Sequence, residues 1–93
     1  MKLRSPNWTD DQLRAQIVRE IKAECRRRII GAGMPEYRQL NLIRAGRADD
    51  PGFAEVDALR TRSNELEASL ATMDRNAMNA FDVKAQNWTG ENS

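Results

Sequence analysis

A chain of 93 residues with 31% charged and 5% aromatic residues, five Gly and three Pro can form one small domain at most, and its composition argues against a sandwich or a barrel. A single cysteine, Cys25, excludes an intrachain disulfide, and with no His anywhere no Cys/His zinc site can be assembled. The formal net charge of +1 conceals an uneven split. Residues 1–47 carry eleven Lys/Arg against five Asp/Glu, and residues 48–93 carry four against nine. Such a division favours one half folding onto the other, or head-to-tail contact between copies, as much as an external polyanion.

Residues 1–8 read as an extended N-terminal arm, because Pro6 turns Ser5 away from helix and Trp8 stands alone before the first cap. The start Met1-Lys2-Leu3-Arg4-Ser5-Pro6 lacks the apolar core of a signal peptide, and no apolar run approaches membrane-spanning length. The expectation is a protein made and used in a soluble, reducing compartment, with no membrane partner.

A single helical domain is expected over residues 9–84. Thr9 with Gln12 three residues later forms a capping box, and Asp10 and Asp11 suit the positive end of a helix. Leu13, Ile17, Ile21, Cys25 and Ile29 then recur in steps of four, which predicts a helix over about residues 9–30 that stops at Gly31 and Gly33. Pro35 opens a shorter helix, about 35–46, in which Tyr37, Leu40, Ile43 and Met34 can share a face before Gly46 ends it. Asp50-Pro51 is a cap and first-turn proline for a third helix.

The third helix carries the clearest pattern. Val56, Leu59, Ser63, Leu66, Leu70, Met73, Ala77 and Ala80 alternate steps of three and four, the a and d positions of a heptad. The spacing predicts one helix over about 51–83, roughly 50 Å long, with a coiled-coil segment at 53–80. At the flanks Glu55 would face Arg60, and Arg62 would face Glu67, in a parallel pair of copies. The expected architecture is therefore all-α, a helical hairpin built from the first, short and long helices, in a homo-oligomer joined through Val56, Leu59, Ser63, Leu66, Leu70, Met73 and Ala77. Residues 85–93 read as a polar C-terminal tail.

Candidate chemistry is sparse. Arg19, Lys22, Arg26, Arg27 and Arg28 could touch phosphates, but three consecutive arginines spread around a helix and no aromatic is interleaved for base stacking. Nucleic acid is the weaker reading of that cluster, and docking to protein through Arg26, Arg27 and Arg28 is the alternative. Cys25 sits on the apolar stripe without a His to activate it. No phosphate loop, metal loop or cofactor motif occurs, so the chain is expected not to be an enzyme and to need no cofactor. The triplet Asn-Trp-Thr occurs at 7–9 and 87–89, and if the ends meet, Trp8 and Trp88 could form one docking site.

Arg26-Arg27-Arg28-Ile29-Ile30, Pro35-Glu36-Tyr37-Arg38-Gln39-Leu40-Asn41-Leu42, Asp50-Pro51-Gly52-Phe53 and Arg62-Ser63-Asn64-Glu65-Leu66-Glu67 resemble small proteins of tailed bacteriophages and prophages. The resemblance covers about residues 24–70. Phe53 and Val56 stand where many such proteins have a tryptophan-rich helix start. What it implies is a virion or tail-fibre-associated protein, assembled in the bacterial host cytoplasm and contacting other virion proteins. Tyr37, Gln39 and Asn41 would then fix the turn and short helix. The alternatives are a tail-fibre assembly chaperone absent from mature particles, and a nucleic-acid-binding accessory protein using residues 19–28.

Overall fold

The computed structural model describes residues 4 and 6–88 and is all-α among them, with no strand. Four helices follow in order: α1 (Asp10–Gly31), α2 (Glu36–Arg44), α3 (Pro51–Ser69) and α4 (Arg75–Ala80). Short 3-10 turns occupy Leu70–Thr72 and Val83–Ala85. No helix among the described residues is long and apolar enough to cross a membrane.

The start of α1 is the capping box: the Gln12 N–H donates to Thr9 Oγ1 at 3.2 Å and the Thr9 N–H donates to Gln12 Oε1 at 2.9 Å. Its end is set by Gly33, whose φ of 82° places it in the left-handed region. The Met34 N–H then reaches back to the Ile29 carbonyl and the Gly33 N–H to that of Ile30, a Schellman closure. Gly46, with φ of 73°, repeats the arrangement after α2, where the Arg47 and Gly46 N–H groups return to Leu42 and Ile43. Gly31 lies inside α1, and Pro35 caps α2 rather than entering its first turn. Asp50 accepts from the Gly52 N–H at 3.0 Å and Pro51 takes the first helical position of α3, as the sequence predicts.

Along its length α3 packs on α1 in the opposite direction. Lys22 pairs with Glu67 at 3.1 Å, the Cys25 thiol donates to the Leu59 carbonyl at 3.6 Å, and Arg14 meets the far end at Leu70. Leu13, Ile17, Ile21, Cys25 and Ile29 supply one side of the core, and Val56, Leu66 and Leu70 the other. A stripe in steps of four on one helix thus meets a heptad stripe on its neighbour.

The expected 51–83 helix does not exist as one piece. It ends at Ser69, passes through a 3-10 turn, and Met73 is extended at φ −86°, ψ 139°. The physical reason lies in Ser69, Thr72 and Asp74, whose side chains bond to nearby backbone groups and compete with the helical ladder. Ser69 Oγ donates to the Leu66 carbonyl and Thr72 Oγ1 to that of Ser69, while Asp74 accepts from the Ala77 N–H and so restarts the chain as α4. The carbonyls freed by the break are taken up by Arg14, whose Nε donates to Leu70 at 3.1 Å.

At Leu70, α3 has also reached the first turns of α1, where Arg14 meets it. The chain then turns and runs back along α1 through the turn at Val83–Ala85. Met78, Phe81, Val83 and Trp88 on this return complete the core. Trp88 is only 2% exposed, so the expected polar tail contributes a buried aromatic to the core. Residues beyond Trp88 and residues 1–3 and 5 lie outside the described part.

Candidate functional site

The heptad side chains face inward. Val56, Ser63, Leu66 and Leu70 are buried, and Leu59 and Met73 are partly buried against the same core. Ala77 belongs to α4 and is exposed, so it is not part of a continuous seam. The surface that the sequence assigns to a second copy is covered here by α1 of the same chain. A second copy could share it only by displacing α1.

The flanking charges are likewise used within the chain. Arg62 pairs with Glu65 at 3.1 Å and its Nε donates to the Asn87 carbonyl. Glu67 takes Lys22 and accepts from Ser63 Oγ. Glu55 lies beside Trp88 and Arg28 at the outer end of the α1–α3 pair, and Arg60 borders a groove next to Cys25. Arg62 and Glu67, two of the four residues expected to pair across a parallel dimer, thus have intrachain partners instead.

The basic cluster divides around α1. Arg27 and Arg28 both reach Glu24, at 3.3 and 2.8 Å, and Glu24 is 6% exposed. Glu24 Oε1 lies 3.3 Å from Arg27 as an ion pair without an aligned hydrogen bond, so its compensation is mainly Coulombic. Arg28 also stacks over Trp88 and donates to the Lys84 carbonyl at 3.4 Å. Arg26 alone of the three points to solvent without an ion pair. Arg27 and Arg28 are thus structural cations, whereas Arg19, Lys22 and Arg26, spaced three and four apart, are exposed along one face of α1. Glu24 escaped the sequence reading, although its spacing of three and four from Arg27 and Arg28 was the available signal.

Trp8 and Trp88 do not share a site. Trp8 sits at the start of α1, where Arg75 donates to its carbonyl and pairs with Asp10 at 2.9 Å. Trp88 lies beside Arg28 in the last turn, so most of the 22-residue α1, about 30 Å, separates them. The N-terminal arm is anchored as well. Arg4 grips Glu20 with two hydrogen bonds, 2.7 and 3.2 Å, and donates to the Met78 carbonyl at 3.0 Å.

Cys25 is buried, and burial pushes its thiol pKa up, against the smaller lowering influence of Ser63 and Arg60. Its protonated sulfur is a hydrogen-bond donor to Leu59 in the α1–α3 interface, which is a packing role. Among the described residues no group of three or more His, Cys, Asp and Glu side chains is placed to hold a metal ion.

The surface that stands out is α2. The shared face expected for Tyr37, Leu40 and Ile43 exists, but it points outward, at 71, 50 and 55% exposure, while Leu42 and Met34 are the buried residues. Gln39 does fix the turn, its side-chain N–H donating to the Met34 carbonyl at 2.8 Å, whereas Tyr37 and Asn41 are exposed. Ile30, 51% exposed, continues the apolar patch from the end of α1. The chain matches no protein-family profile, and no curated protein or solved structure is significantly similar to it.

Proposed function

We propose that this chain is a non-catalytic structural or assembly protein of a tailed-phage virion, in the tail, baseplate or fibre attachment region, that works by docking helices. The observation carrying the docking reading is the patch Ile30, Tyr37, Leu40 and Ile43: a domain this small that can bury Leu, Ile, Met and Trp side chains elsewhere leaves four large apolar residues in water on one edge. Its helical hairpin acts as a rigid carrier for that edge. The phage setting is supported by the sequence resemblance over residues 24–70.

Self-association through residues 56–73 is the weaker form of this proposal, because α1 occupies that stripe. Contact with other virion proteins through α2 is the stronger form. Mass spectrometry of purified particles provides the test. A stoichiometric amount of the chain in mature virions is expected; its presence in infected cells but absence from particles would overturn the structural role and leave the assembly-chaperone role.

A further inference from the structure

Among the described residues, every exposed large apolar side chain lies between positions 30 and 43. Tyr37, Leu40 and Arg44 are spaced three and four apart, so they line one face of α2, with Ile43 at its edge. Beside this face a groove of about 720 Å³ opens between α1, the start of α2 and α3, lined by Cys25, Ile29, Tyr37, Arg26 and Arg60. Apolar anchors next to a groove fit the helix-in-groove mode of recognition.

The charges around the patch specify the occupant. Arg26, Arg38, Arg44 and Arg60 are all exposed and carry no ion pair among the described residues. Lys22 is neutralised by Glu67, and Glu36 is the one acid in the patch that offsets the arginines. The edge is therefore an apolar strip with a basic rim.

A second copy does not complement it. A two-fold contact of α2 with α2 offers from each copy's helix one acid, Glu36, against Arg38 and Arg44 of that helix and Arg26 and Arg60 beside it, so most of the basic rim stays unanswered. The acidic outer face of α3, with Glu55, Asp57 and Glu65, has the right sign but no exposed large apolar residue to meet Tyr37, Leu40 and Ile43. We infer that α2 and the adjoining groove bind an acidic amphipathic helix of a different protein, with apolar residues at i, i+3 or i+4 and i+7 and carboxylates facing Arg26, Arg44 and Arg60. This rests on the docking reading above but not on its virion setting. Absence from particles would remove the setting alone, and failure of the binding test below would remove the occupant alone.

The test uses the full chain and two fluorescent synthetic helical peptides with the same Leu pattern, one flanked by Glu and one by Lys, followed by anisotropy. The Glu peptide should bind, weaken with added salt, and lose about tenfold in affinity with Leu40→Asp, the loss expected for one anchor side chain. Arg44→Glu should weaken the Glu peptide and strengthen the Lys peptide, which a folding defect would not do. Circular dichroism melting should show both variants folded, as both positions are exposed. No binding of the Glu peptide, equal binding of the two peptides, or indifference to Leu40→Asp would overturn the inference. So would self-association of the wild type that Leu40→Asp abolishes, since that would assign the face to a second copy.

Discussion

The guanidinium of Arg28 lies 5.3 Å from the ring centre of Trp88, whose indole N–H donates to the Val83 carbonyl at 2.8 Å. This contact closes the returning C-terminal segment onto the last turn of α1, and Arg62 holds it from the α3 side through the Asn87 carbonyl. Trp88→Ala should therefore cost about 3–5 kcal/mol, a large share of the stability of a small domain. Urea denaturation measures it, and a loss below about 1 kcal/mol would show that the segment is not part of the core.

The break between α3 and α4 is a built feature with its own cap. Asp74→Ala removes the acceptor for the Ala77 N–H and should destabilise the chain by about 1 kcal/mol. The same denaturation midpoint reports it. A stabilising effect would mean that the chain prefers a continuous helix through residue 74.

Arg4 ties the N-terminal arm to both α1 and α4. The Arg4 and Glu20 side chains are only 10 and 19% exposed, so Arg4→Ala takes the ion-pair partner from a largely desolvated carboxylate that keeps the Gln16 amide, and should cost about 1–3 kcal/mol in thermal or urea unfolding. Glu20→Gln, which keeps an acceptor for Arg4, should cost less. Equal losses would contradict the two-pronged pair as the source of the anchoring.

Much of the local structure was legible in the residues. Thr9 and Gln12, Asp50 and Pro51, Gly33 and Gly46 carry their caps and turns in a few neighbouring positions, and the two apolar stripes of α1 and α3 mark the core faces. The partner of the heptad stripe was not legible, because a/d spacing says that a face is buried and leaves open whether α1 or a second chain buries it. The break at Met73 was hidden by the same regularity: Ala77 continues the numerical register, and only the competition of Ser69, Thr72 and Asp74 for backbone groups shows why the helix stops. For α2, spacing identified the shared face of Tyr37, Leu40 and Ile43 but not its direction, which depends on how far Leu42 and Met34 draw the other side inward. Trp88 lay in a segment with no periodicity, so composition suggested a tail.

Cys25 makes stability depend on alkaline pH. Burial raises its thiol pKa in the folded chain above the ordinary value of 9.0, so the folded state holds the proton more tightly than the unfolded state. The contribution is fully present below that value and is lost as pH rises through the folded pKa. Urea unfolding of wild type and Cys25→Ala should therefore converge as the pH rises above 9.0, the wild type losing more. Parallel pH profiles would contradict the buried, protonated thiol.

The central claim is that the heptad stripe is an internal seam between α3 and α1. Sedimentation equilibrium of the isolated chain at tens of micromolar tests it most directly. The predicted result is a single species at the 10.6 kDa chain mass, with Leu66→Asp unfolding that species because it places a charge in the core. A multiple of that mass for the wild type, converted by Leu66→Asp to a folded monomer, would contradict the claim and return the stripe to a contact between copies.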